Sequence, residues 1–210
     1  MVNDAAAKRK TSVCVYCGSA SGADGRYAAA ARVLGAAIAA AGFGLVYGGG
    51  GIGLMGEVAL AVRRAGGDVL GIIPGFLQER EVHFKDATEL VVTRDMHERK
   101  MLMFERADAF VALPGGIGTL EELIEQMTWS QLGRHTKPIV IANIGGFWQP
   151  LLTLLGHMEA EGFLRKPFIA GKASDLYHVV DTAEEIVPRI VSLLSALEPS
   201  TATEDIAHNF

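Results

Sequence analysis

Seven short apolar segments recur along this chain, and each is followed by a helix-length amphipathic segment or a glycine-rich turn. Alternation of strands and helices is typical of a parallel sheet that carries helices on both faces. Strands such as AFVAL are apolar without alternation, as expected where helices bury both faces of a sheet. The sequence therefore predicts an α/β fold with a doubly wound parallel sheet of about seven strands in a three-layer sandwich. The strands are expected within residues 12–17, 43–47, 68–73, 87–93, 107–113, 138–143 and 175–180.

Glycine and proline positions indicate where helices end or begin. Gly42, Gly66 and Gly162 each follow a helical pattern, and glycine is favoured just after a helix because it adopts a positive φ at little cost. Pro188 lies inside the last helical pattern, so we expect a kink or a late helix start there.

The chain has 210 residues and contains no internal repeat or long linker. This length suits one globular domain with a core of ordinary size. We expect that domain to span residues 12–197, with a flexible N-terminus over 1–11 and a flexible C-terminal tail over 198–210.

The formal charge of −5 is compatible with binding small molecules but argues against a nucleic-acid partner. Apart from KRK at 8–10, Lys and Arg occur singly or in pairs, so the chain lacks the basic cluster that nucleic-acid binding requires. No apolar stretch has the length of a signal peptide core or a membrane span. The sequence therefore predicts a cytoplasmic protein that binds no membrane.

Three turns that follow predicted strands are rich in glycine or small polar residues. In a doubly wound sheet the carboxyl ends of the strands meet at one edge, and ligands bind along that edge. These turns are the expected binding elements. They are CGSASG at 17–22, YGGGGIGLMG at 47–56 and LPGGIGTLEE at 113–122.

The glycine patterns favour a small anion over a dinucleotide or a nucleoside triphosphate. Gly51, Gly53 and Gly56 match GxGxxG, but they follow the second strand, and no carboxylate ends the next strand to hold a ribose. A P-loop needs a lysine after its glycines, and neither GGGGIGLMG nor PGGIGT has one. Backbone NH groups at a helix start, with the hydroxyl of Thr119 beside them, would suit one phosphate group.

Thr119 and Glu122 also permit a purely structural interpretation. Their spacing fits a capping box, in which both side chains satisfy free NH groups of the helix, and spacing alone favours this alternative. Asp95 and Glu98 have the same spacing at the start of an earlier helix.

The position of these helices keeps a catalytic interpretation open. Arg99 follows the fourth strand and Glu122 the fifth, so a cation and a carboxylate would both lie near the ligand-binding edge. Metal catalysis and acyl-enzyme chemistry lack the usual residues, because HExxH and nucleophile-elbow motifs are absent and the six histidines are scattered. Cys14 and Cys17 form a CxxC inside an apolar strand, where we expect buried structural thiols.

Taken together, these segments resemble one enzyme family. PGGIGTLEE matches the pattern PGGxGTxxE. The match is specific because several other family-like segments occur in the same chain. The chain resembles the Lonely guy (LOG) family of cytokinin-activating phosphoribohydrolases from about Cys14 to about Phe163. The matching segments are CGS at 17–19, YGGGGIGLMG at 47–56, LQEREV at 77–82, DMHERK at 95–100, PGGIGTLEE at 114–122 and MTWSQLGRHTKP at 127–138.

The resemblance implies a Rossmann-like homodimer that hydrolyses the N-glycosidic bond of AMP or an N6-substituted relative such as N6-isopentenyl-AMP. The products would be a free base and ribose 5-phosphate, with no metal and no redox cofactor. Carried over by motif position, Arg99 and Glu122 would be the catalytic pair. The same resemblance places at the substrate and its phosphate Gly18, Ser19, Glu81, Lys100, Gly115, Gly116, Gly118, Thr119 and Thr128.

A fixed carboxylate suits this reaction, because breaking a ribosyl bond builds positive charge on the sugar. Two features depart from the family pattern: Ile117, where an aromatic residue is common, and the segment 81–93. The resemblance therefore does not specify the N6 substituent of the substrate. One alternative is a nucleotide-binding or carrier module without turnover. Another is a decarboxylase, which would need pyridoxal phosphate on a lysine in a setting the sequence lacks.

Overall fold

The computed structural model describes residues 9–78, 84–164, 168–169, 172–173 and 175–197. Strands and helices alternate along them. Their order is β1 (Ser12–Tyr16), α1 (Gly25–Ala40), β2 (Gly44–Tyr47), α2 (Gly53–Arg64), β3 (Val69–Pro74), α3 (Gly75–Gln78), β4 (Glu89–Thr93), α4 (Met96–Arg106), β5 (Ala109–Ala112), α5 (Ile117–Gln131), β6 (Ile139–Ala142), a 3-10 turn (Ile144–Gly146), α6 (Gln149–Ala160), β7 (Phe168–Ile169), β8 (Lys172–Ala173), β9 (His178–Val180) and α7 (Ile186–Leu197).

Seven parallel strands form the main sheet in the order β4-β3-β2-β1-β5-β6-β9. The central strand β1 pairs with β2 on one side and with β5 on the other, so Val13 lies opposite both Leu45 and Ala109. The predicted doubly wound α/β fold is confirmed, and each predicted strand is present. β7 and β8 form an additional antiparallel pair that the sequence pattern did not reveal, because two-residue strands carry no periodicity.

Helices cover both faces of this sheet, and β1 shows how. Its alternate side chains enter two separate buried clusters: Val13 and Val15 pack with residues of α1, α2 and α7, whereas Cys14 and Tyr16 pack with residues of α4, α5 and α6. Cys17 belongs to the first cluster. Both thiols are free and buried, and burial raises the pKa of each. This arrangement agrees with the prediction of structural thiols.

The predicted helix ends are also confirmed. Gly42, Gly66 and Gly162 follow α1, α2 and α6 with φ values of 73°, 76° and 78°. Helix α7 begins at Ile186, so Pro188 lies in its first turn and marks a late start. None of the helices in the described residues is long and apolar enough to cross a bilayer. The predicted tail over 198–210 lies outside the described residues, as do residues 1–8 of the predicted flexible N-terminus.

The strand order reverses at β1. The chain moves outward through β2, β3 and β4 and then returns to place β5 on the other side of β1. A crevice therefore forms beyond the carboxyl ends of β1 and β5, where doubly wound sheets bind ligands.

Candidate active site

The three glycine-rich turns meet at this crevice. Gly18, two residues after β1, donates its NH to the carbonyl of Pro114 at 3.1 Å. Its own carbonyl accepts hydrogen bonds from the NH groups of Leu54 at 3.0 Å and Met55 at 3.3 Å, at the start of α2. The turn after β1 thereby ties together the turns after β2 and β5.

These turns enclose a cavity of about 300 Å³, at the lower end of the range for small-molecule sites. Seven of the predicted site residues line it: Gly18, Ser19, Arg99, Gly116, Gly118, Thr119 and Glu122. The cavity is also lined by Val15, Tyr16, Cys17, Gly48, Met55, Leu77 and Ile117. Of this second group, Cys17, Gly48, Met55, Leu77 and Ile117 lie in segments that resemble the family, but none of them is among the predicted site residues.

A larger hollow of about 520 Å³ lies between β9 and α7, at one end of the sheet. Its lining includes Asp181, Glu184 and Glu185. This hollow lies away from the reversal of strand order and from the glycine-rich turns. The cavity at β1 and β5 is therefore the better candidate for a ligand site.

An ion pair lies in the wall of the smaller cavity. Nη1 of Arg99 is 3.6 Å from Oε1 of Glu122, and only 11% and 12% of the two side chains are exposed. The guanidinium also donates from Nε to the carbonyl of Ile72 at 3.2 Å and from Nη2 to the carbonyl of Gly48 at 3.4 Å. The ends of β2 and β3 thus hold Arg99 beside Glu122.

Burial raises the pKa of Glu122 to about 7, and the positive charge of Arg99 opposes this shift. Glu121 and Glu125 add smaller effects that raise the pKa, and Lys100 lowers it. A carboxyl group with a pKa near 7 exchanges its proton at neutral pH. Such a group is suited to acid–base or electrostatic catalysis.

Glu122 and Thr119 do not form the capping box that their spacing suggested. Helix α5 begins at Ile117 with Gly116 as its N-cap residue, and no side chain of the described residues caps it. Thr119 is therefore the third helical residue and Glu122 the sixth, one turn too late to reach the free NH groups. The capping-box alternative is wrong at this helix.

The same spacing does mark a cap at α4. Asp95 is the N-cap residue and accepts a hydrogen bond from the NH of Glu98 at 2.9 Å, while Oε2 of Glu98 accepts one from the NH of Arg94 at 2.8 Å. This cap fixes the start of α4. Arg99 follows one turn later.

The first turn of α5 borders the cavity with backbone groups. Its first NH groups have no acceptor within the helix, and the helix dipole makes this end favourable for an anion. Thr119 is 4% exposed, and its side chain packs so closely against Gly115 that a methyl group at position 115 would overlap it. Gly116 and Gly118 have open space where a side chain would project.

Three predicted site residues within the described part of the chain, Lys100, Gly115 and Thr128, do not line this cavity. Lys100 bonds to Glu121 and, at 2.9 Å, to Glu125. Thr128 is exposed on α5, and its hydroxyl donates to the carbonyl of Ile124 at 2.7 Å. Glu81 lies outside the described residues. Over the part of the chain that the structure describes, no three His, Cys, Asp or Glu side chains cluster in a way that could hold a metal ion.

A parallel sheet with this strand order and glycine-rich turns at its reversal point defines a Rossmann-like α/β protein. A family model described as "Possible lysine decarboxylase" matches residues 55–190. The rice (Oryza sativa subsp. japonica) protein named cytokinin riboside 5′-monophosphate phosphoribohydrolase LOG is 44% identical over 199 residues, which are 94% of this chain and 80% of that protein. The Arabidopsis thaliana protein named cytokinin riboside 5′-monophosphate phosphoribohydrolase LOG2 is 42% identical over 194 residues, or 91% of each chain. The chain belongs to the LOG family.

Solved structures agree on the fold. The molybdenum cofactor carrier protein of Chlamydomonas reinhardtii has a TM-score of 0.68 at 22% identity, covering 90% of this chain and 100% of that chain. The molybdenum cofactor binding protein of Rippkaea orientalis has a TM-score of 0.66 at 21% identity, covering 90% and 99%. At these identities the likeness concerns the fold alone.

Proposed function

We propose that this chain is an N-glycosidase that hydrolyses AMP and N6-substituted adenosine 5′-monophosphates to the free base and ribose 5-phosphate. The observation that carries the proposal is the buried ion pair of Arg99 and Glu122 beside the first turn of α5. Relatives that share 42% to 44% of their residues with this chain bear the name of that activity.

The phosphate of the substrate binds at the first turn of α5. The free NH groups after Gly116, at the start of α5, border the cavity. Glycines have no side chain, so a phosphate can approach the backbone closely there. Gly18 and Ser19 also line the cavity. The phosphate thus fixes the ribose at the ion pair.

Glu122 acts on the anomeric carbon of the ribose. Water adds its oxygen to that carbon, the bond to the base nitrogen breaks, and the base leaves with the electron pair and takes up a proton. In its ionised form Glu122 stabilises the positive charge that develops on the sugar and accepts a proton from the attacking water. Because its pKa is about 7, a substantial fraction of Glu122 is ionised at neutral pH.

Arg99 supplies a permanent positive charge that favours the ionised form of Glu122. Its Nε and Nη2 are held by carbonyl groups, so Nη1 keeps a fixed direction. We propose that this nitrogen orients the carboxylate and contacts the bound nucleotide.

The decarboxylase description of the family model does not suit this cavity. Pyridoxal phosphate chemistry needs a lysine that can form a Schiff base. No lysine lines the cavity among the described residues. Lys100, the neighbour of Arg99, is bonded to Glu121 and Glu125, and these bonds outweigh the opposing effect of burial and raise its pKa.

Release of free base from AMP and N6-isopentenyl-AMP, followed by chromatography, tests the proposal. We expect Glu122→Gln to lower kcat by about 100- to 1000-fold, because glutamine keeps the size of the side chain but carries no charge. Glu121→Gln is the matched control, since Glu121 is the adjacent residue, is half-exposed and does not line the cavity. We expect this control to stay within about threefold of the wild type.

Two results would contradict the proposal. Full activity of Glu122→Gln would show that its carboxylate takes no part. A wild-type protein that binds nucleotide but releases no base would instead be a nucleotide-binding or carrier module.

We also propose that the chain forms a homodimer through the exposed face of α5. Ile117 and Ile124 lie on that face, and Leu132 is the C-cap residue that directly follows the helix. They recur at intervals of seven and eight residues and are 82%, 37% and 73% exposed. Apolar side chains at such spacing form a stripe on one side of a helix, which supports burial against a partner.

A further inference from the structure

Gly48 directly follows β2 and lies against the guanidinium of Arg99. Its carbonyl accepts the bond from Nη2, and the carbonyl of Ile72 accepts the bond from Nε. Two bonds to backbone groups, one in β3 and one just after β2, fix the plane of the guanidinium. The remaining nitrogen, Nη1, then faces Glu122 at 3.6 Å.

A side chain at position 48 would occupy the space of this guanidinium. A methyl group there would overlap Nη2 of Arg99, and it would lie 3.4 Å from Cζ of Arg99 and 3.2 Å from Sδ of Met55. These three nearest atoms all belong to side chains that can move. Alanine at position 48 would therefore displace the head of Arg99 by roughly 1 Å and leave the backbone of the turn in place.

We propose that Gly48 is a positioning residue whose missing side chain allows Arg99 to contact both strand ends and Glu122 at once. This inference rests on the proposed function for its effect on turnover, but its effect on the Arg99–Glu122 geometry is independent of turnover. It also gives a chemical reason for a glycine at the first position of GGGG.

Displacement of Arg99 changes the electrostatic surroundings of Glu122 in a predictable direction. Arg99 lowers the pKa of Glu122, so moving the guanidinium away lets burial raise that pKa above its value of about 7. The other groups that act on Glu122, or on which its charge acts, keep their places in Gly48→Ala. They are Lys100 on α4, Glu121 and Glu125 on α5, and Cys14, Tyr16 and Cys17 at β1.

The effect of Gly48 on the placement of Arg99 beside Glu122 is tested by titrating the Glu122 carboxyl with ¹³C NMR of the full chain. Glu122→Gln serves to assign the signal. We expect a midpoint near 7 in the wild type and a midpoint about one pH unit higher in Gly48→Ala. Gly156→Ala is the control, because Gly156 lies on α6 with open space where a side chain would project. We expect the control to titrate like the wild type.

The catalytic part is tested by a double-mutant cycle on base release. Gly48→Ala is expected to lower kcat by about 100-fold, as misplacement of a catalytic group by about 1 Å commonly does. In an Arg99→Ala background the methyl group added at position 48 has room, so Gly48→Ala is expected to lower kcat by less than about threefold.

The outcomes separate this inference from the proposed function. A raised Glu122 midpoint in Gly48→Ala, with no base release even by the wild type, supports the positioning role and overturns the proposed reaction. An unchanged midpoint and unchanged kcat in Gly48→Ala overturn the positioning role and leave the reaction standing. Equal losses with and without Arg99 would show that Gly48 acts through the turn itself, which also overturns the inference.

Discussion

Glu122 is the residue at which burial and charge most clearly oppose each other. Its folded-state pKa of about 7 lies above the ordinary glutamate value of 4.5. Between these two values the folded protein retains a proton that the unfolded chain has lost. The free energy of unfolding therefore decreases as pH rises from about 4.5 through 7, and the penalty is complete above pH 7.

Replacing Glu122 by glutamine, which resembles the protonated form, should remove this penalty. We expect Glu122→Gln to be more stable than the wild type by about 3 kcal/mol at pH 8 and nearly equal to it at pH 4.5. Urea denaturation at both pH values measures the difference. A stability difference that does not vary with pH would mean that Glu122 titrates alike in the folded and unfolded states.

The first residue of α5 is a feature that the sequence pattern does not determine. The pattern PGGIGTLEE pointed to Glu122 and Thr119, but spacing alone favoured a helix cap, because Thr119 and Glu122 fit that motif. Whether they form a cap depends on the residue at which α5 begins, and the N-cap residue is Gly116, three residues before Thr119. Caps are fixed by one or two residues, which is less than sequence patterns resolve.

At the scale of elements, the start of α2 is held against the turn after β1. Gly53 has a φ of 61°, and a methyl group there would overlap the backbone of Ser19. Unlike a side-chain overlap, a collision with backbone cannot be relieved by a rotamer change. Glycine at position 53 is therefore required by both conformation and space.

We expect Gly53→Ala to destabilise the protein by more than about 2 kcal/mol, since it adds a steric overlap to an unfavourable φ. Gly66→Ala is the matched control, because Gly66 has a φ of 76° but nothing within 4 Å of an added methyl group. The control should cost only about 1 kcal/mol. Equal denaturation midpoints for the two variants would disprove the role of the contact with Ser19.

The elements themselves were largely predictable, and the contacts among their turns were not. Apolar segments and terminal glycines marked the strands and several helix ends. Gly48, Met55 and Leu77 line the cavity, but they follow different strands or lie within different helices, so only the folded chain brings them together. Gly48 belongs to the run GGGG at 48–51, but its contact with Arg99 spans 51 residues of sequence.

At the scale of the whole molecule, the proposed dimer predicts that light scattering at micromolar concentration gives twice the mass of one chain. Leu132→Lys should shift the protein toward the monomer, because it places a charge on the exposed face of α5. Leu154→Lys is the control, since Leu154 is 48% exposed on α6. A monomeric wild type, or equal effects of both variants, would contradict an interface on α5.

The position of β1 at the centre of the sheet has a consequence for synthesis on the ribosome. Val13 pairs with Ala109 as well as with Leu45, so one side of β1 has no strand partner until about 100 further residues have been made. At ordinary translation speeds this interval lasts about 5 to 20 s. During that time a nascent chain that already contains β1 to β4 carries an open hydrogen-bonding edge, which makes it a candidate for chaperone binding before β5 emerges.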